Sequence, residues 1–565
     1  MRGKTVKNRL KRLKYSNINN DKKPSAELFA LHKAYFLPVR IIFVNSEQNS
    51  LQQNNIGGMP QMSFSPDYKN YKDAKISDDT MQAMRDLRAV TGNTMDLNIM
   101  NIRIGGVECA VVSIEGMTST DAMSELIFRP IMQLNDKGKT SPQRIFEFLT
   151  EESLLAAERK TLFTYGDVIQ FLFSGFAVIF TDTIPKAVAY GIQGYDKRSV
   201  SDPKSEQTIH AAQDSFTETI RTNLSLVRRR MKTPALRFEM SQLGEKTSTD
   251  VCIMYLADRA SPEIVRRIRT DLSRIKLDTI MTSEYLQPFI DESYENSIFS
   301  SVMRSERPDM ICTCLNEGKV CILVDGTPFC LILPTVFADN FRTMDDYCQK
   351  SFYVTFTRWM RYIAFFLAVA FPGLYVALVM FHPEIFTMEL LLNLSASEEA
   401  TPYPLVLEVI MLMVLFEIMR EAGLRLPKAV GGAVSIVGGL IIGDAAVKSG
   451  IVSAPLLIVI GITATASFVL PSLYPAISVL RIVFILAGGL GGLFGLSLAI
   501  IVLMANVNNM NDFAVSFTAP IMPFCRSSVK DVVSRASFRE YEQKHSTIGE
   551  YRQTDEPPRK GKGSE

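Results

Sequence analysis

Two kinds of hydrophobic spacing divide the chain. Up to about residue 345 the apolar positions come in short bursts broken by Gly, Pro, Asp and Ser; from Tyr362 onward they come in long runs of membrane grade. In the first kind, Cys109-Ala-Val-Val-Ser-Ile114 predicts a strand ending at Gly116. Thr118-Ser-Thr-Asp-Ala opens a helix with side chains suited to capping, and Met123, Leu126, Ile127 and Ile131 keep helical spacing. A second helix is predicted from Asp167. Ser174 to Asp182, then Pro185 and Ala187 to Tyr190, predict a β-hairpin.

The same layout recurs 143 positions on. Cys252-Ile-Met-Tyr-Leu stands where Cys109-Ala-Val-Val-Ser stood, a helix runs from Ser261 to Ile275, and Glu317 to Asp325 with Phe329 to Leu333 predict a second hairpin. Gly175 and Gly318, Asp182 and Asp325, and Pro185 and Pro328 all share that offset. The expectation is an α/β region of two tandem similar subdomains, at 95–200 and 201–345. Each Asp-x-x-Pro reads as turn chemistry closing a hairpin. Ahead of them, residues 1–94 read as a basic, polar, largely disordered extension, with one strand-like patch at Tyr35 to Val44 and a Gln-, Asn- and Ser-rich linker at 46–80.

The second subdomain opens with a linker helix. Phe216, Ile220, Leu224 and Val227 share one face, and Arg221, Arg228, Arg229 and Arg230 lie elsewhere. This is an amphipathic helix whose basic end suits the helix dipole. No aromatic platform or recognised motif accompanies it, which argues against nucleic-acid binding.

The long runs are Tyr362–Phe381, Pro404–Met419, Ala429–Val447, Ile451–Leu470 and Ile482–Ala505. They predict an α-helical multi-pass membrane domain at 346–510, followed by a cytoplasmic tail at 511–565. Arg358 and Arg361 put the start of the first run inside, the Lys- and Arg-free, Glu-containing stretch 382–403 faces out, and Arg420, Arg425 and Lys428 put the next turn inside. Five crossings would strand Lys448 and the basic tail outside. Charge counting therefore favours a re-entrant element in Ala429–Val447, carrying Gly438, Gly439, Gly443 and Asp444. Arg481 is then left near the outer interface, where it can snorkel. Glu417 has Arg420 three residues on as a partner, whereas Glu408 has no local partner. A carboxylate on such a helix either reaches the outer interface or faces water. In the second case Glu408, Met411, Leu412, Leu415 and Met419 would line a conduit.

Composition narrows the chemistry. The formal net charge is +2, so the overall balance excludes little. The charges crowd into the first 350 residues and the last 40. The basic N-terminus is followed by no apolar h-region, so it does not read as a secretory signal; it is a solvated arm or a contact for anionic lipid headgroups. The eight Cys form no Cys-x-x-Cys pair and mostly sit in apolar runs, as buried reduced thiols on a cytoplasmic face. There is no phosphate-binding glycine loop, no Ser/His/Asp set, and only four His. No cofactor, metal or catalytic role is expected.

Several stretches together resemble the A subunit of the GerA family of bacterial spore germinant receptors, over roughly residues 95 to 525. They are Phe216 to Arg230, Ser305-Glu-Arg-Pro-Asp309, Val324-Asp-Gly-Thr-Pro-Phe329, Asp345-Asp-Tyr347, and Arg420-Glu-Ala-Gly-Leu-Arg-Leu-Pro427 with the run to Val447. One departure is His210-Ala-Ala-Gln213, where members carry Arg-Gly-Pro. The resemblance implies a subunit in the inner spore membrane that partners a transporter-like, nutrient-sensing B subunit and a lipoprotein C subunit. It implies a homo-oligomer, pentameric in the family, that releases monovalent cations when germinant binds. It also makes Arg221, Asn223, Arg228 and Arg230 candidates for subunit contact. The alternative is a non-conducting scaffold or accessory A-like paralogue.

Overall fold

The computed structural model describes residues 71–135, 140–152, 158–194, 203, 206, 208–426, 445–522, 531–535 and 548. The basic arm, the strand expected at Tyr35 to Val44, and Gly438, Gly439, Gly443 and Asp444 lie outside the described residues.

Short apolar strands build two five-stranded antiparallel sheets among the described residues. The first holds β1 (Leu97–Ile104), β2 (Val107–Ile114), β3 (Arg159–Leu162), β4 (Phe176–Thr181) and β5 (Ala187–Gly191), in the order β1-β2-β4-β5-β3. The second holds β6 (Leu236–Leu243), β7 (Thr249–Leu256), β8 (Met303–Ser305), β9 (Val320–Val324) and β10 (Cys330–Leu333), in the equivalent order β6-β7-β9-β10-β8. β2, β4, β7 and β9 are buried almost throughout because helices cover both faces of each sheet. On the first sheet α1 (Thr80–Thr91) and α4 (Tyr165–Leu172) cover one face. The other face packs on α2 (residues 120–135) and α3 (Pro142–Glu147). On the second sheet α5 (Ile220–Arg230) and α7 (Pro308–Asn316) cover one face, and α6 (Pro262–Ser273) the other.

Three expectations change. The first subdomain does not begin at 95: α1 buries Ala83, Met84, Leu87 and Val90 in the first core, and Asp79 caps it. Its sequence looked too polar for a core because only one face of the helix is apolar. Second, Cys109 is not the counterpart of Cys252. Cys109 faces α2 and α3, whereas Cys252 faces α5 and α7, where Ala110 is its equivalent in the first sheet. The connection from β7 to β9 is one residue longer than that from β2 to β4, and a slip of one residue turns a side chain to the opposite face. Third, Asp182 and Asp325 do more than shape turns. The Thr80 N–H donates to Asp182 Oδ1 at 3.4 Å, and the Ile220 N–H to Asp325 Oδ1 at 2.9 Å. Each aspartate thus meets the positive N-terminal end of the helix lying on its own sheet. The residue after each takes a left-handed conformation, Thr183 at φ 67° and Gly326 at φ 88°.

Four of the five long apolar runs fall in α8 (Ser351–Phe381), α10 (Leu405–Arg425), α11 (Ala454–Phe468) and α12 (Tyr474–Asn509), the last kinked at Gly492; α9 (Met388–Glu399) lies in the Lys- and Arg-free stretch between the first two, and the run Ala429–Val447 lies outside the described residues up to Asp444. Among the described residues two helices, Ser351–Phe381 and Pro471–Asn509, are long and apolar enough to cross a membrane. α8 starts well before its apolar run because nothing in Ser351 to Arg361 breaks a helix; there the surroundings change, not the backbone. α8 and α12 cross at Gly373 and Gly488, where a Cβ on either glycine would run into the backbone of the other helix.

Candidate functional site

The described chain concentrates its buried polar groups in three places: the interface of the two sheets, the joint between the second sheet and the long helices, and the helix bundle.

At the sheet interface, Arg228 of α5 is fully buried. Its Nε donates to Asp96 Oδ2 at 2.7 Å and its Nη2 to Asp96 Oδ1 at 3.0 Å. The guanidinium lies between the rings of Phe173 and Phe238, with centroids at 4.9 and 4.4 Å. Its Nη1 donates to the Thr233 carbonyl, and Nη2 also donates to that of Leu236. Asn223 is also buried and bonds both the N–H and the carbonyl of Thr217. Arg230 pairs with Asp214, and half-exposed Arg221 with Glu115. The residues expected to meet a neighbouring subunit are thus engaged inside the chain. Arg228 and Asn223 have no surface to offer; Arg221 keeps one.

The joint is built from motif residues. Asp345 accepts from three successive N–H groups, of Ile209, His210 and Ala211, at 3.0 to 3.2 Å. This pins the loop in which the sequence departs from the family pattern. Arg307 holds the same loop through the carbonyls of Glu206 and Ala212. Asp346 accepts from Arg361 at 2.8 Å and Arg358 at 3.3 Å, so the basic start of α8 is pinned to the second repeat. Tyr347 Oη donates to Asp531, and Arg358 also reaches Asp531. Below these, Lys319 pairs with Asp339 at 2.8 Å and Glu317 at 3.0 Å, and Arg342 joins both acids. Burial alone would raise the Asp346 carboxyl, but the hydrogen bonds and charge of Arg361, with the charge of Arg358, hold it below the ordinary carboxylate range.

A second contact returns from the far end of α12. Asp512 packs against Asp291 with Ser293 and Ser301, whose hydroxyls touch both acids. Burial and the neighbouring Asp291 push the Asp512 carboxyl up to about 6.

In the bundle, Glu417 does pair with Arg420, at 3.0 Å, and also accepts from Tyr474 Oη and Ser478 Oγ. Arg481 does not snorkel. It is buried among the helices and donates to the Ala368 carbonyl at 2.9 Å and to Ser467 Oγ. Glu408 is fully buried against α11, where the Ser453 N–H donates to its Oε1 at 2.5 Å. Leu412 is buried beside it, Met411 and Met419 are half-buried, and Leu415 is 39% exposed. The structure therefore does not bring Glu408, Met411, Leu412, Leu415 and Met419 onto one open face. Sequence reasoning missed Tyr375, Glu398 and Ser453 near Glu408. A tyrosine inside an apolar run was the available signal, because its hydroxyl needs a partner there.

Among the described residues no group of three or more His, Cys, Asp or Glu side chains is arranged to hold a metal ion. Five of the described cysteines are buried, and burial pushes the Cys109 thiol up to about 11, so it is inert at neutral pH.

A family model described as Bacillus/Clostridium GerA spore germination protein matches residues 85–547. Spore germination protein KA of Bacillus subtilis (strain 168) is 34% identical over 479 residues, covering 84% of this chain and 87% of that one. Spore germination protein GerLA of Bacillus cereus is 32% identical over 453 residues, 80% of this chain and 91% of that one. An uncharacterized membrane protein, YfkQ of Bacillus subtilis (strain 168), is 33% identical over 470 residues, 82% and 90%. Among solved structures, the N-terminal domain of the A subunit of the Bacillus megaterium spore germinant receptor GerK3 is 30% identical and covers 47% of this chain and 98% of that one, with a TM-score of 0.39.

Proposed function

The chain belongs to the GerA family of spore germination proteins, and from that premise we propose that it is the A subunit of a nutrient receptor in the inner spore membrane. In this reading it crosses the membrane several times, assembles as a homo-oligomer, and works with a transporter-like B subunit and a lipoprotein C subunit. Germinant binding to the partner opens a path for monovalent cations. The oligomer and the conduction rest on the family resemblance; two long apolar helices support the membrane assignment.

The observation that carries the reading is the joint at Asp346. A subunit that passes a signal between a soluble repeat and membrane helices needs a stiff connection. Here two arginines of α8 converge on one carboxylate in the turn Met344–Tyr347 that leads out of the second repeat, with 2% of its side chain exposed. Replacing Asp346 by Asn keeps the shape and removes the charge. In spores carrying D346N, nutrient-triggered potassium efflux is expected to slow strongly while immunoblots show normal levels of the complex. Normal efflux at normal protein levels would sink the reading. The non-conducting accessory reading is favoured by the inward burial of Glu408. It predicts that deleting the chain alters germination while a purified, reconstituted receptor passes no cation flux.

A further inference from the structure

Four buried oxygens in the helix bundle have no hydrogen-bond partner among the described residues: Glu408 Oε2, Glu398 Oε1, Tyr375 Oη and Ser453 Oγ. They come from four separate places, α10, α9, α8 and the turn entering α11. They are also close together. Tyr375 lies within the field of Glu398 and Glu408 and next to Ser453, Glu398 within the field of Glu408, and the Ser453 N–H touches Glu408. Glu408 and Ser453 are 0% and 3% exposed.

Buried polar atoms are nearly always paired, because leaving one unpaired costs about 1–3 kcal/mol and more for a charged group. Four such atoms in one neighbourhood are a stronger signal than any one of them. The Ser453 hydroxyl and the Tyr375 hydroxyl could each donate to a carboxylate nearby, yet neither sits in hydrogen-bonding geometry with one. Both carboxylates thus keep one oxygen open to a further ligand. Charge argues the same way. Two carboxylates lie here, and among the described residues no Lys, Arg or His acts on Glu398. Arg481, the buried cation of the same bundle, is occupied by Ala368 and Ser467.

We propose that Glu398, Glu408, Tyr375 and Ser453 form a binding site for a hard cation inside each chain. Oxygen-only ligands select alkali or alkaline-earth ions over softer metals. Four protein oxygens fill part of a shell of about six to eight, and water completes it. A divalent ion neutralises both carboxylates; an alkali ion leaves one charge. Bound there, the ion ties α8, α9, α10 and α11 together at a point where they otherwise repel. The inference rests on the membrane reading of the helices and not on conduction, since the site lies within one chain and needs no symmetric axis.

The test uses the full chain purified in nanodiscs, with thermal unfolding followed in choline chloride at constant ionic strength and pH. NaCl, KCl and CaCl₂ are titrated in separate arms. At least one should raise the melting temperature in a saturable way, as an ion that binds only the folded state must. E408Q and E398Q should each weaken the half-saturation point by at least about tenfold, the scale of losing a ligand or its support. S453A, an uncharged and smaller change, guards against variants that fail to fold and should weaken the response as well. No saturable rise beyond choline in any arm overturns the site. So does a rise left unchanged in E408Q, E398Q and S453A, or a response to pH alone that is the same in choline, which would make the centre a proton. Potassium efflux is scored separately. Normal efflux in D346N with an intact cation response counts against Asp346 as a relay and leaves this site standing; slowed efflux in D346N with no saturable cation response counts against this site alone.

Discussion

The two repeats share a topology and differ in what they hold. The first buries Phe176 at the start of β4, edge-on to Phe171 with ring centroids 5.0 Å apart. At the same place before β9 the second buries Lys319, paired with Asp339 and Glu317. The first repeat touches the rest of the described chain through Arg228, Arg237 and a few loop bonds. The second carries the helices: Asp346 grips α8, and Asp291 meets the return from α12. Short buried strands and an aspartate at one helix start are common to both copies. The polar departures from that shared pattern mark where the second copy was adapted as an anchor.

The largest effect should follow from breaking that anchor. Removing one partner of a buried ion pair leaves the other charge unpaired, at a cost of about 3–5 kcal/mol. Arg358, with 0% of its side chain exposed, would be left facing that cost in D346A, with Asp531 as partial relief. The first unfolding transition of the full chain in detergent should drop steeply. Replacing half-exposed Glu115, which ties Arg221 at the first repeat, should move it by about 1 kcal/mol or less. Equal losses would erase the distinction between the copies.

This contrast also explains what was legible in the sequence. The offset of 143 was visible because Gly175, Asp182 and Pro185 are fixed by backbone geometry, and such geometry repeats when a fold repeats. α1 was hidden because its apolar face is narrow and its flanks are polar. The motif residues Asp345, Asp346 and Tyr347 stood out in the sequence, but not their partners, which lie over 130 positions away for the loop and the tail. Glu408 was noticed as an acid in an apolar run. Its orientation depends on which helices pack around it, and one helix alone does not encode that.

The second anchor titrates in the opposite sense to the first. The depressed Asp346 carboxyl stabilises the fold above the ordinary carboxylate range, and that contribution is lost as pH falls through its folded value. Asp512, raised from 3.8 to about 6, contributes stability that is fully present below its unfolded value and is lost as pH rises through about 6. D512N should therefore stabilise the chain at pH 8 by about 1–3 kcal/mol and do little at pH 4. The asparagine amide also supplies a donor for Asp291. Melting wild type and variant from pH 4 to 8 isolates the group, since Asp346 cancels in the difference. A variant that is less stable at pH 8 would show that the carboxylate has a cationic partner after all.

The smallest effect is the most direct comparison of the copies. Asp182 and Asp325 occupy equivalent turns and face equivalent helices, yet they should not be worth the same. α1 has a cap of its own, Asp79, which accepts from Met81 at 2.8 Å, so Asp182 at 3.4 Å from Thr80 is a second and longer contact. At α5 the cap position is held by Thr219, which makes no side-chain capping bond, and Asp325 at 2.9 Å serves the helix's first N–H, that of Ile220. A lost N-cap costs about 1 kcal/mol, and a redundant one a few tenths. D325A should lower the unfolding midpoint clearly and D182A barely. Exchange of the amide hydrogens at the start of α5 should quicken in D325A, while those of α1 stay protected in D182A. If both variants lose the same amount, the two aspartates act through the hairpin turn alone, and the difference between the repeats does not extend to their helix starts.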